Sequence, residues 1–254
     1  MLSKNQLKFI RSLHQGKFRH EHGLFLAEGP KVVEEIIRSR FRVHSLYATE
    51  NWTMKGGTSH QPLEVTTISP KELERISTLQ APNEVVAVVH MAAEEKALPD
   101  ATSGLVLVLD GIRDPGNLGT IIRTADWFGF RDIVCSPDCV DVYNPKVVQA
   151  TMGSIARVVV HYRELAEIFG SRRKEVPVYG ALLDGQNIYA ASLLQHGYLL
   201  IGSESHGISP PAQLHITDPL RIPSFGDEAG TGAESLNASI ATAILCAEFR
   251  RRSK

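Results

Sequence analysis

The sequence predicts an α/β protein in two parts, and three observations carry that prediction. From Leu105 onward, short apolar runs alternate with amphipathic stretches. That is the pattern of strands buried on both faces of a parallel sheet between covering helices. Residues ahead of Leu105 show a shorter, less regular version of the same alternation. Between them, Met91–Gly104 is rich in Ala, Glu and Lys and carries Pro99-Asp100 and Ser103-Gly104, a linker composition. The expected boundaries are residues 1–92 for a small α/β domain, 93–103 for the linker and 104–254 for the larger domain. With 254 residues, 43% hydrophobic and 22% charged, the chain can bury a real core, which excludes disordered, collagen-like and fibrous classes.

The elements follow in order. Ser3 and Gln6 fit a capping box, Leu7, Ile10 and Leu13 make an apolar stripe, and Lys4, Lys8 and Arg11 fall on the opposite face. This predicts a helix with a basic face, although an acid-free basic stretch also suits a transit peptide. Val32, Val33, Ile36 and Ile37 have helical spacing, and Val43–Tyr47 suits a strand. Ser69-Pro70 opens a helix through Ile76, and the β-branched run Val85–His90 is a strand. In the larger domain, strands are expected at Leu105–Leu109, Asp132–Cys135, Arg157–His161, Pro177–Ala181 and Tyr198–Ile201. Helices fit near Leu118–Phe128, Pro145–Met152, Glu164–Phe169 and Ala190–Leu194, with a last one from about Glu234 to Arg252. In that last helix Leu236, Ile240, Ala243, Ile244 and Ala247 form an apolar stripe, either core or a subunit interface.

In sheets of this kind ligands sit beyond the carboxyl ends of the strands. Three loops leave such ends. Asp110–Gly119 contains Gly111, Gly116 and Gly119, with Asn117 placed to cap the helix and Arg123 one turn further on. It is neither a dinucleotide fingerprint nor a P-loop, which disfavours a nucleotide-dependent oxidoreductase. The second loop, Gly202–Pro210, carries Ser203, Glu204, Ser205 and His206, but the Gly-x-Ser-x-Gly elbow of a serine hydrolase is absent. The third, Arg221–Ser239, delivers Ser235 and Asn237 to the start of the last helix. Cys135, Cys139 and Cys246 are too few for a disulfide framework and lack the spacing of a metal site. No apolar run approaches the ~18 residues of a membrane span.

Taken in order, Asn117-Leu-Gly-Thr-Ile-Ile-Arg123, Leu200-Ile-Gly-Ser-Glu204-Ser-His-Gly207 and Ile222-Pro…Glu234-Ser-Leu-Asn237 resemble the three motifs of the SpoU/TrmH family. Its members are S-adenosylmethionine-dependent RNA ribose 2′-O-methyltransferases of the SPOUT class. Phe25-Leu-Ala-Glu-Gly-Pro-Lys31 is similar to the start of the family's small RNA-binding domain. The resemblance implies a parallel sheet with a C-terminal trefoil knot, which topology priors alone would reject. It also implies a homodimer whose sites draw on both subunits, while the few, scattered cysteines suggest a reducing compartment, the cytoplasm. Arg123, Asn117, Glu204, Ser235 and Asn237 become catalytic candidates, and Gly202, Gly207, Ile222, Leu236 and Asn237 become cofactor-binding candidates. The implied substrate is ribosomal RNA; the alternatives are tRNA, or a non-catalytic RNA-binding or ribosome-assembly protein that kept the fold. One departure is Asp227–Ala233, longer and richer in glycine than the family pattern, which suits either a lid or a surface insertion.

Charge narrows the expected RNA contact. Lys+Arg 27 against Asp+Glu 28 gives a net charge of -1, so a general polyanion binder is disfavoured. The local exceptions are Lys4, Lys8, Arg11, Lys17 and Arg19 in an acid-free opening segment, and Arg250-Arg-Arg252 with Lys254 at the end. These are the candidate RNA grips.

Overall fold

The computed structural model describes residues 1–54, 63–93, 97–226 and 234–252. The chain divides into two compact units, Met1–Ala93 with Asp141–Arg157, and Glu94–Val140 with Val158–Lys254.

The first unit begins with α1 (Lys4–Ser12), whose Ser3–Gln6 capping box is formed in both directions. Then come α2 (Gly16–His22), β1 (Leu24–Glu28), α3 (Pro30–Ile37), β2 (Val43–Ala48), β3 (Val65–Thr67), α4 (Pro70–Ile76) and β4 (Val85–His90). The strands form one sheet in the order β1-β4-β2-β3, antiparallel except for the β2–β3 pair. Leu7 and Ile10 of α1, with Leu13 just after it, share a buried cluster with Leu24, Leu26, Val86 and Val88, so one face of the sheet is core. The Glu28 carboxylate, buried at the end of β1, accepts from the Ser77 and Thr78 hydroxyls and from Thr78 N–H at 3.0 Å. Its place in the Phe25–Lys31 motif is thus structural: it closes the turn after α4.

The later segment Asp141–Arg157, with a helix over Pro145–Ala150 (α6 in chain order), also belongs to this unit. Arg19 donates to Asp141 at 2.6 Å, the Phe25 and Tyr143 rings lie 4.8 Å apart, and Arg157 pairs with Glu35.

The second unit contains β5 (Leu105–Asp110), α5 (Pro115–Trp127), β6 (Asp132–Cys135), β7 (Val159–Tyr162) and α7 (Leu165–Gly170). It continues with β8 (Val178–Asn187), β9 (Gly197–Gly202), α8 (Pro210–Gln213), β10 (Asp218–Arg221) and α9 (Ala238–Arg251). Its six strands are all parallel, in the order β10-β8-β9-β5-β6-β7. Every residue of β5 is buried, as an unbroken Leu-Val-Leu-Val-Leu run in a central strand requires. One face packs Val106, Val108, Val134, Val178 and Leu200 against Ile168 and Phe169 of α7. α5 buries Leu118, Ile121, Ile122 and Ala125, and α9 packs against it.

Three expectations are corrected. No helix forms over Ala190–Leu194: β8 runs on to Asn187 because Gln186 and Asn187 pair with Leu220 and Arg221 of β10, and a turn follows. The last helix starts at Ala238, four residues later than expected from Glu234. Its core face is Ala238, Thr242, Leu245, Cys246 and Phe249. The apolar stripe lies elsewhere, with Leu236 and Ile240 45% and 51% exposed.

Candidate active site

Because the second sheet is parallel, β5 and β9 end side by side, Asp110 opposite Gly202, and the first two loops leave the same edge. Asp110, buried at the end of β5, accepts from Ser209 N–H at 2.7 Å and ties loop one to the end of loop two. Gly111 takes a positive φ of 67°, and its N–H donates to Ser136 Oγ at 2.9 Å. Ser136 donates in turn to Asp138 at 2.6 Å, which holds that carboxyl below the usual carboxylate range. Ile112 N–H donates to Cys139 Sγ at 3.2 Å. A hydrogen bond from the Cys135 thiol is the main reason the Cys139 thiol is lowered to about 7.

Asp114, not Asn117, caps α5: its carboxylate accepts from Asn117 N–H at 2.8 Å, and Pro115 occupies the first turn. A short acceptor before proline is a known helix-start pattern, so the cap was legible. The side chain of Asn117 is thereby left for tertiary work.

Loop two is a tight turn. Ser203 and Gly207 exchange both backbone hydrogen bonds, at 3.0 and 2.8 Å, and Gly207 has a φ of 66°. A Cβ on Gly202 would sit 2.1 Å from the Gly207 carbonyl carbon, so only glycine fits there. Ser203 Oγ accepts from His206 N–H at 3.2 Å, a turn-stabilising role with no link to an imidazole base. The turn holds Glu204 out towards the other loops.

Glu204 and two asparagines join all three loops. Its Oε1 accepts from Asn117 Nδ2 at 3.1 Å, from Asn237 Nδ2, and from Ala238 N–H at 3.0 Å. Asn237 Nδ2 also donates to Asn117 Oδ1 at 2.9 Å. Asn237 Oδ1 caps α9 by accepting from Ser239 and Ile240 N–H at 3.0 and 3.3 Å, and from Ser239 Oγ at 2.6 Å. Asn237 is therefore both a helix cap and a site residue. Beside this triad opens a cleft of about 300 Å³, lined among others by Asp110, Arg113, Asp114, Asp138 and Glu204.

Arg123 does not join them. It lies with Thr120 and Trp127 on the exposed stripe of α5 and lines no part of the cleft. Ser235 and Leu236 are exposed and Ile222 half-buried. The long loop segment Asp227–Ala233 lies outside the described residues.

The basic candidates separate as well. Lys4, Lys8 and Arg11 line a second cleft of about 290 Å³, which Arg75 of α4 completes. Lys17 is exposed. Arg19 is 3% exposed and gives four of its five N–H donors to Asp141 and to the Leu13 and His14 carbonyls, so the group is turned inward, away from a phosphate. At the other end, Arg251 and Arg252 donate to Glu248, and Arg250 donates to the Phe128 carbonyl at 2.7 Å. That basic run anchors α9; Lys254 lies outside the described residues. Cys135, Cys139 and Cys246 are free and buried, and no group of three metal-binding side chains occurs among the described residues. No described helix is long and apolar enough to cross a membrane.

A six-stranded parallel sheet whose first two motif loops leave its carboxyl edge, with a smaller α/β unit in the same chain, is an architecture shared with SpoU-type methyltransferase structures. The chain belongs to the SpoU rRNA Methylase family, whose model matches residues 104–247, and an MRM3-like substrate binding domain matches residues 4–87. A relative from Bacillus subtilis, the 23S rRNA (guanosine(2553)-2′-O)-methyltransferase RlmP, is 32% identical over 98% of this chain and 97% of its own. A TrmH-family protein of Porphyromonas gingivalis superposes with a TM-score of 0.87, at 44% identity and 99% coverage of both chains. An rRNA methyltransferase from Sinorhizobium meliloti, solved with S-adenosylmethionine bound, superposes at 0.82, with 30% identity over 99% of this chain and 96% of that one.

The residues present fit that cofactor. Carboxylates outnumber Arg113, the one Lys or Arg lining the cleft among the described residues, which suits a sulfonium cation.

Proposed function

We propose that the chain is an S-adenosylmethionine-dependent enzyme that methylates a ribose 2′-hydroxyl of ribosomal RNA. The observation that carries this reading is the Asn117–Glu204–Asn237 triad, which joins the three family motifs at the sheet's carboxyl edge. The cofactor supplies an electrophilic methyl on a sulfonium when bound. Backbone groups of Gly202, Gly207, Ile222 and Leu236 hold it, and the triad keeps their loops in register. Ser235 and Asn237 position the ribose.

Arg123 lowers the energetic cost of the attacking oxygen's growing negative charge. Arginine stays protonated in proteins, so it acts as an electrostatic stabiliser, and a proton acceptor is then the solvent or a phosphate. Its place on the exposed stripe with Trp127, 84% exposed, supports a homodimer in which it serves the partner's site. The bared Leu236 and Ile240 give that dimer apolar surface to bury. The family's trefoil knot belongs to the same reading. So does a front domain over residues 1–92 that grips RNA phosphates with Lys4, Lys8, Arg11 and Lys17. Three free, buried cysteines agree with a reducing cytoplasm.

Arg123→Ala should abolish methyl transfer while calorimetric affinity for S-adenosylmethionine stays within about threefold, because the residue stabilises the transition state. Retained transfer would remove Arg123 from the mechanism.

A further inference from the structure

The first unit carries a row of rings that the cofactor site does not use. Phe9 of α1 meets His22 of α2 with ring centroids 5.3 Å apart and His44 of β2 at 6.3 Å; His44 meets His90 of β4 at 5.4 Å. Neighbouring rings meet edge to face or tilted, at 66°, 57° and 78°, so none stacks flat on the next; Phe9 also rests on the core, and His22 and His44 give the row its open surface. His22 and His44 are exposed, Phe9 and His90 half-buried.

This row is built by the fold. His90 lies on the same face of β4 as Val88 and Val86, whose side chains pack under α1, and the row begins where that core ends. His44 is the extra residue of a β-bulge: Val43 pairs with Val89, and Ser45 with Val88. A bulge redirects the side chain it carries. Burial above all, with His44 and Arg42 nearby, pushes His90 below the usual imidazole value. One cation lies by the row: Arg42 is exposed and close enough to His90 to act on its charge, whereas Lys4, Lys8 and Arg11 occupy a different face of α1 from Phe9.

We propose that Phe9, His22, His44 and His90 form a stacking platform for unpaired bases of the substrate RNA, with Arg42 beside it for a neighbouring phosphate. The proposal rests on the reading of the chain as an RNA methyltransferase and adds which part of the RNA it selects. Base pairs in a duplex keep their faces buried, whereas single-stranded loops offer them to aromatic and imidazole rings. Charge alone would not discriminate, since both forms carry phosphates.

The test is fluorescence anisotropy with the full-length protein, a labelled single-stranded RNA dodecamer and the same dodecamer in a duplex. The wild type should prefer the single strand. His44→Ala should weaken single-strand binding about tenfold and leave duplex binding within about twofold, and His44→Phe should restore it. S-adenosylmethionine affinity, equal in all three proteins, reports that the fold is intact. An unchanged single-strand affinity in His44→Ala, or equal losses on both RNAs, overturns the platform. A wild type that binds neither RNA overturns the RNA reading beneath it.

Discussion

Glu204 gathers three donors on a single carboxylate oxygen although the residue is exposed, so its work is to hold loops together at the surface. Charge-assisted bonds of this kind are roughly twice as strong as neutral ones. Glu204→Ala frees both asparagine amides and uncouples the three loops. Methyl transfer should fall about 100-fold, the scale of losing a site-organising polar group, while the melting temperature shifts by less than about 3 °C. A full loss of folding would show that the triad is structural. At this scale the sequence was most legible where residue types are chemically restrictive. Asn117, Glu204 and Asn237 were expected at the site, and the structure brings them together. Asp110, Ser136 and Cys139 were missed because their roles depend on backbone N–H groups from distant segments, at Ser209, Gly111 and Ile112. No local pattern signals such partners.

Among the elements, α9 shows why composition misleads. Its Arg250-Arg-Arg252 run reads as a polyanion grip, yet Glu248, one turn earlier, is 5% exposed and accepts from Arg251 and Arg252 at 2.8 and 2.7 Å. Arg252 also donates to the Ile188, Tyr189 and Ala191 carbonyls, tying the helix end to the turn after β8. These arginine bonds pull the Glu248 carboxyl from 4.5 to about 2. A lowered acid contributes stability that is present above its unfolded value and is lost as pH falls towards its folded one. Glu248→Gln should therefore cost about 1–3 kcal/mol in urea unfolding at pH 7. The gap to wild type should narrow between pH 4.5 and pH 2. A constant gap would mean that the arginines are not what holds the carboxylate charged. Helix α1 is the opposite case: its capping box and apolar stripe are local, and the structure reproduces both. The strand β10 and the extension of β8 carry no local apolar signal: β10 forms by pairing with Tyr179, Gly180, Gln186 and Asn187 of β8, and the end of β8 by pairing with Leu220 and Arg221.

The molecule as a whole sets the triad and Arg123 apart: one faces the cleft, the other an exposed helix stripe. If the dimer shares its sites, a protein lacking Arg123 and one lacking Glu204 should complement each other. Mixing Arg123→Ala with Glu204→Ala after mild subunit exchange should restore up to about a quarter of wild-type transfer, since half the dimers are mixed and each carries one intact site. No restoration would place Arg123 in its own subunit's site. Such sharing is invisible to periodicity, which reports only which face of a helix is apolar. The motif order, by contrast, pointed to the family that the comparisons bear out. Ribosomal RNA from cells lacking the protein is incubated with purified enzyme and S-adenosylmethionine labelled in its methyl group, then hydrolysed in alkali. A methylated 2′-oxygen cannot attack the neighbouring phosphate, so the label should appear in an alkali-resistant dinucleotide. Label released entirely in mononucleotides, or no label in the RNA at all, would mean that the protein does not methylate a ribose 2′-oxygen.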